Sequence, residues 1–133
     1  MPSAVIAITG ASGSRYAVRL IQILVDSGWD IFLTVTREGA INLDLECGVT
    51  PKQLAEEYGV NLEANQNLAA RSASGSAKFD AYVICPASGT TIGKIAAGIS
   101  DNLATRSALV ALKERRKLIL VPRETPVATP HLE

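Results

Sequence analysis

A glycine-rich loop after the first apolar run is the first place in this sequence where chemistry could occur. Residues 10–13 read Gly-Ala-Ser-Gly and come between the apolar residues 4–9 and a segment with helical spacing. Glycine lets a backbone turn sharply and approach a ligand, and the free N–H groups at a helix start favour an anion. Many strand-to-helix turns need glycine for steric reasons alone, so this loop favours phosphate binding only modestly over simple turn geometry.

A second loop concentrates hydroxyl groups before a helix. Residues 86–91 read Pro-Ala-Ser-Gly-Thr-Thr. Ordinary capping by Ser88 or Thr90 would explain one hydroxyl, because a helix start needs only one such acceptor. Three hydroxyls with Gly89 fit a phosphate or the polar edge of a flavin better.

The end of the second apolar run bears on the type of nucleotide. Dinucleotide-binding domains usually have three glycines in the first turn and an acidic residue near the end of the second strand. Here Arg15 occupies the place of the third glycine, and the second run ends in Thr36-Arg37. NAD is therefore disfavoured and a mononucleotide favoured, although Arg37 leaves NADP open.

Charged residues follow or end other predicted elements. Arg123 and Glu124 come directly after an apolar run, where they would face a ligand cleft, although surface ion pairs are common. Lys113 ends a predicted helix, where the helix dipole also favours a cation, and Glu46 could equally face solvent. The basic run at residues 113–117 has no interleaved aromatic residues, so we interpret it as a solvated helix end and not as a nucleic-acid site.

Alternating strands and helices predict the fold that must position these loops. Strands are predicted at 4–9, 31–35, 82–85 and 118–121, and helices at 14–27, 37–46, from 51, 90–97 and 102–113. Residues 59–78 are predicted to be a loop with a short strand or helical turn. This order predicts one Rossmann-like, doubly wound α/β domain over residues 1–133, with a mostly parallel sheet. Ligands of such folds bind at the carboxyl ends of the strands, so the four loops should share one rim.

Composition excludes several classes of protein. Thirteen basic and thirteen acidic residues balance, so no overall field attracts nucleic acid or an anionic membrane. No apolar run reaches the length of a membrane span, and no basic leader precedes the first run. Cys47 and Cys85 lie far apart, and His131 is the single histidine, so we predict two separate thiols, no metal site and a cytoplasmic protein.

The motifs taken together resemble the UbiX/Pad flavin prenyltransferases, formerly called aromatic acid decarboxylases. The resemblance rests on Gly-Ala-Ser-Gly at 10–13, Cys-Pro-Ala-Ser at 85–88, Asp-Asn-Leu at 101–103, Leu-Lys-Glu-Arg-Arg at 112–116, Arg-Glu-Thr-Pro at 123–126 and His-Leu at 131–132. They occur in the family's order and span nearly the whole chain. The family continues for several tens of residues beyond His-Leu, including a tyrosine and a basic residue that help bind prenyl phosphate, so we expect this chain to lack that C-terminal segment.

The resemblance implies a cofactor, a reaction and partners. FMN would be held by Gly10, Ala11, Ser12, Thr36, Ser88, Gly89, Thr90, Thr91 and Arg123. A dimethylallyl group would pass from its monophosphate to reduced FMN without a metal, and Ser12, Glu46, Lys113 and Glu124 would be catalytic. The prenylated FMN would serve a UbiD-type decarboxylase, and trimers would assemble into a dodecamer with active sites at subunit interfaces.

Two other functions stay open. A non-catalytic FMN-binding or assembly subunit is compatible with a missing C-terminal segment. A flavin-dependent decarboxylase of peptidyl or pantothenoyl cysteine is disfavoured. Enzymes of that related family use a catalytic histidine early in the chain, whereas the single histidine here, His131, lies near the end of the sequence.

Overall fold

A single parallel sheet organises the computed structural model, which describes residues 1–123. Its five strands lie in the order β3-β2-β1-β4-β5, and every adjacent pair is parallel. The strands are β1 (Ser3–Ile8), β2 (Asp30–Val35), β3 (Asn61–Leu62), β4 (Ala81–Ala87) and β5 (Leu118–Pro122). The helices are α1 (Ser14–Asp26), α2 (Arg37–Cys47), α3 (Pro51–Tyr58), α4 (Gly89–Ala96) and α5 (Leu103–Lys113). The predicted Rossmann-like α/β fold is confirmed.

The apolar runs form strands because both faces of the sheet are covered. In β1, Ile6 and Ile8 belong to a core with Ile21 of α1, whereas Ala7 belongs to a second core with Ala104 and other residues of α4 and α5. Alternate side chains therefore enter opposite layers, and all of them are apolar. The two layers of helices place every strand-to-helix loop at one edge of the sheet.

Local signals located most helix starts. The Thr50 hydroxyl accepts a hydrogen bond from the Gln53 N–H at 3.1 Å, and the Thr50 N–H donates to the Gln53 side-chain oxygen at 2.9 Å, with Pro51 at the first helical position. The predicted loop at 59–78 contains β3 and a 3₁₀ turn at Arg71–Ala73, as expected. No helix within residues 1–123 combines the length and apolar character that a transmembrane span needs.

The predicted end of β4 is wrong. We expected Pro86 to stop the strand after Cys85, but it continues to Ala87. Proline has no N–H to donate, yet the Pro86 carbonyl accepts from the Thr9 N–H at 3.2 Å, so the link to β1 is kept. This extension carries the second hydroxyl-rich loop alongside the first.

Candidate functional site

A buried threonine joins the two loops that the sequence singled out. The Thr9 hydroxyl donates to the Pro86 carbonyl at 2.6 Å and accepts from the Ser88 N–H at 2.8 Å. Thr9 is fully buried, so both contacts form away from solvent. Sequence reasoning missed this residue. Its only signal was a hydroxyl at the end of an otherwise apolar run.

Three helix starts converge on one small pocket, which we call the N-cap pocket. Its volume is about 150 Å³, and its lining residues are Gly10, Thr36, Glu38, Ser88, Thr90, Thr91, Lys94 and Asn102. Thr36 caps α2 by accepting from the Gly39 N–H at 3.0 Å. Ser88 caps α4 through the Thr91 N–H at 3.1 Å, and Asn102 caps α5 through the Thr105 N–H at 2.9 Å.

The helix starts give the N-cap pocket the character of an anion site. The positive ends of the α2, α4 and α5 dipoles meet at its wall, whereas its two charged side chains, Lys94 and Glu38, have opposite signs. Ser88 caps α4, as ordinary helix capping predicts, and its hydroxyl also donates to the Thr91 hydroxyl at 2.9 Å. These groups fit a phosphate, which accepts hydrogen bonds from several donors at once.

Two glycines press α2 against the end of β1. A Cβ atom on Gly10 would overlap Cβ of Glu38, and one on Gly39 would overlap the carbonyl oxygen of Ile8. Such overlap requires a backbone shift in the second case, because the obstructing atom belongs to the main chain of a central strand. The start of α2 is thus held at the pocket by close backbone approach.

A second cavity, the Glu46 cleft, opens beside the N-cap pocket. It measures about 490 Å³ and is lined by Ser12, Gly13, Arg15, Tyr16, Glu46 and Arg123. The Glu46 carboxylate accepts from the N–H groups of Gly13 at 3.1 Å and Ser14 at 2.8 Å. Gly13 has a φ of 120°, a conformation that side chains disfavour. The start of α1 is therefore already occupied by a carboxylate from α2.

Hydrogen bonds control the ionisation of Glu46. Burial raises the pKa of Glu46, but the hydrogen bonds from Ser14, Gly13 and Ser12 outweigh it, and the pKa lies below its usual value. The group is consequently ionised at neutral pH. It can accept hydrogen bonds and orient a ligand there.

Arg123 completes the cleft. Its guanidinium carbon lies 4.8 Å from the centroid of the Tyr16 ring, a cation–π geometry. Its side chain also fills the space that a Cβ on Gly13 would enter, with Nε 3.0 Å from that point. Ser12 and Arg123 thus share one cavity, as predicted for loops at the same rim, and Glu46, which the residue pattern alone left open to solvent, joins them from α2.

Lys113 lies elsewhere in this chain. It is exposed at the last position of α5 and lines a separate cavity of about 230 Å³ with Ser100, Arg106, Leu109 and Val110. Eleven residue steps separate it from Asn102, the cap of α5, or ~16 Å of helix. Neither cavity at the rim includes it.

Other predicted residues can be located briefly. Ala11 is buried in the first loop, and its N–H donates to the Thr9 carbonyl at 2.9 Å. Gly89 is the first residue of α4. Glu124 and His131 lie outside the described residues. Within residues 1–123, no group of three His, Cys, Asp or Glu side chains could hold a metal ion.

Comparison with known proteins places this chain in a family. Residues 2–129 match the model of the Flavoprotein family. The flavin prenyltransferase UbiX of Thermoplasma acidophilum is 45% identical over 125 residues, which are 94% of this chain and 68% of that protein.

Solved structures give the same relationship. AnUbiX (PadA1), in complex with FMN and dimethylallyl pyrophosphate, matches with a TM-score of 0.94 and 30% identity over 98% of this chain and 69% of that one. A dodecameric FMN-dependent UbiX-like decarboxylase from Escherichia coli O157:H7 matches with a TM-score of 0.92 and 34% identity, over 98% of this chain and 71% of that one. The chain described here belongs to the Flavoprotein family and, within it, to the UbiX-type flavin prenyltransferases.

Proposed function

We propose that this chain binds FMN and joins a dimethylallyl group, taken from dimethylallyl monophosphate, to the reduced flavin. The observation that carries the proposal is the arrangement of two cavities along one loop. Gly10 lines the N-cap pocket, while Ser12 and Gly13 line the Glu46 cleft. A molecule with a phosphate at one end and a large ring system at the other fits such a pair of cavities.

The N-cap pocket is the proposed place of the FMN phosphate. The alternative, the start of α1, has its Gly13 and Ser14 N–H groups engaged by Glu46. The pocket has three helix starts and the hydroxyls of Thr36, Ser88, Thr90 and Thr91. The full set of proposed FMN contacts is Gly10, Ala11, Ser12, Thr36, Ser88, Gly89, Thr90, Thr91 and Arg123.

The Glu46 cleft is the proposed place of the prenyl chemistry. The flavin would supply the nucleophilic nitrogen that replaces phosphate on the dimethylallyl group, and the ring carbon that then adds to the alkene of that group to close the fourth ring. Arg123 would neutralise the phosphate that leaves, and Ser12 and Glu46 would orient it. Glu124, which follows Arg123 directly, would carry the proton.

A second copy of the chain is the proposed source of Lys113. Within one chain Lys113 is remote from the cleft, so a catalytic Lys113 requires a neighbouring subunit. The dodecamer of the related E. coli protein supports such an assembly, and the exposed apolar side chains of Ile41 and Leu45 on α2 offer surface for it.

Mixing two inactive variants tests this sharing of residues. Ser12→Leu blocks the cleft, and Lys113→Met removes the cation. If subunits share sites, the mixture after dissociation and reassembly regains activity that neither variant has alone. Activity that stays absent in a mixture shown to be co-assembled would place all catalytic groups in one chain.

The product is proposed to serve a UbiD-type decarboxylase in the cytoplasm. The family resemblance is the basis for that recipient. Cys47 and Cys85 are free thiols, which suits a reducing compartment.

A direct assay tests the function. The protein is incubated anaerobically with reduced FMN and dimethylallyl monophosphate, and the flavin is analysed by mass spectrometry. We expect a flavin heavier by one dimethylallyl group, and none without the prenyl donor. Tight FMN binding with no such product would instead identify a non-catalytic flavin-binding subunit.

A further inference from the structure

A single acidic residue lines the N-cap pocket. Among the described residues of that wall, Glu38 is the only carboxylate, and Lys94 is the only cation. Lys94 already pairs with Asp101 at 3.1 Å, so part of its charge is offset. The charge of Glu38 is opposed by no comparable partner, since no hydrogen bond or salt bridge joins it to any residue in 1–123.

The backbone holds Glu38 at this place. It is the second residue of α2, directly before Gly39. The Gly39 N–H is bound by Thr36, and a Cβ atom on Gly39 would overlap the Ile8 carbonyl oxygen. On its other side, Cβ of Glu38 abuts Gly10. The exposed carboxylate can rotate, but its point of attachment cannot leave the pocket without moving α2.

An acid at a helix start is ordinarily stabilising, because it complements the dipole. In a pocket that binds phosphate, the same charge opposes the ligand. Two like charges several ångströms apart at a protein surface repel enough to change affinity severalfold. A carboxylate at this wall therefore lowers phosphate affinity relative to a neutral side chain of the same shape.

We propose that Glu38 limits the affinity of the pocket for the flavin phosphate, so that prenylated flavin leaves faster. This inference rests on the proposed function, since it assumes that FMN is the occupant. An enzyme whose product is a cofactor for another protein must release it. The three helix starts attract the phosphate, and Glu38 supplies a repulsion that opposes this attraction.

Charge removal at Glu38 tests the proposal. We expect Glu38→Gln to bind FMN ~3–10 times more tightly and to release it correspondingly more slowly, as measured by flavin fluorescence and stopped flow. Riboflavin, which lacks the phosphate, should bind both proteins equally. Raising the salt concentration should shrink the FMN difference, because ions screen the repulsion.

Glu56→Gln is the matched control, because Glu56 is an exposed acid on α3 that does not line the pocket. Unchanged FMN affinity in Glu38→Gln would overturn the inference. Weaker binding of both FMN and riboflavin would also overturn it, by showing that Glu38 accepts a hydrogen bond from the ribityl chain. If the wild-type protein bound neither flavin, the proposed function itself would fail and this inference with it.

Discussion

The start of α1 and the N-cap pocket both consist of helix N-termini, but different groups occupy the space in front of them. Both lie at the carboxyl edge of the sheet and both present helix N–H groups after a turn containing glycine or hydroxyl residues. At α1, the chain's own Glu46 accepts from Gly13 and Ser14. At the N-cap pocket, the caps of three helices surround space that a ligand can enter.

This difference shows that a glycine-rich turn does not by itself identify a phosphate site. The Gly-Ala-Ser-Gly loop contains two glycines, yet the N–H groups of Gly13 and Ser14 at its helix start are bound by the carboxylate of Glu46. Thr36, Ser88 and Asn102 come from distant parts of the sequence, and only the fold brings them together. We therefore propose that the phosphate binds in the pocket and that the chemistry takes place in the cleft.

The largest expected effect separates chemistry from binding. Glu124→Gln should lower prenyl transfer about a hundredfold, because glutamine keeps the shape of the side chain but cannot release a proton. FMN affinity should be unchanged, since Glu124 is assigned to the chemistry of the cleft. Turnover is followed by mass spectrometry and affinity by fluorescence. Normal turnover would remove Glu124 from the mechanism, and an equal loss of binding would make it structural.

Displacing α2 should damage the pocket next most strongly. In Gly39→Ala the new methyl group collides with the Ile8 carbonyl, so the start of α2 must move. We expect FMN to bind at least tenfold more weakly, because Thr36 moves with the helix. Calorimetric titration measures this loss, and circular dichroism checks that the fold remains. Unchanged affinity in a folded variant would show that the position of α2 does not matter for binding.

The link between the two loops should affect stability. Thr9→Val keeps the shape but leaves the buried Ser88 N–H without its acceptor. An unsatisfied buried donor costs ~1–3 kcal/mol in the free energy of unfolding. Urea denaturation measures the change. A variant as stable as the wild type would show that the contact is replaced, for example by water.

The smallest expected effect concerns Glu46 and pH. Its folded-state pKa is lowered, so its contribution to stability is present above the unfolded pKa of about 4.3 and is lost as pH falls through the folded value. Glu46→Gln should be less stable than the wild type by ~0.3–1 kcal/mol at pH 7. The difference between the two proteins in thermal melts should shrink progressively as the pH falls below the unfolded-state pKa and Glu46 becomes protonated. A difference that persists undiminished in acid would contradict a charge-based role.

Much of the fold could be predicted because it depends on local patterns. Apolar runs marked the strands, and Thr50-Pro51 marked a helix start that the structure reproduces. The contacts that shape the Glu46 cleft and the N-cap pocket could not be predicted from local patterns. Glu46 reaches α1 across 33 positions, and Thr9 reaches Ser88 across 79. Lys113 has a suitable residue type, but its helix points it away from the rim, which residue type and spacing did not reveal.

Glu38 is a pocket residue that could not be identified from the sequence. The second apolar run ends in Thr36-Arg37, and Glu38, one residue later, stands in the sequence as an ordinary acid in the first turn of a predicted helix. Its place in the pocket follows from Gly10 and Gly39, which bring α2 close. Those contacts are steric and tertiary, so no periodicity signals them.

The affinity ratio between riboflavin and FMN tests the division between the two helix starts most directly. This ratio isolates the phosphate, because the two ligands are otherwise the same. Thr91→Val, which removes a pocket hydroxyl, should reduce the phosphate's contribution about tenfold or more, as loss of a charged hydrogen bond does. Glu46→Gln should leave the ratio within about twofold, because the charge at the start of α1 does not meet the phosphate. The opposite result, a ratio insensitive to Thr91 and changed by Glu46, would place the phosphate at the start of α1 and contradict this account.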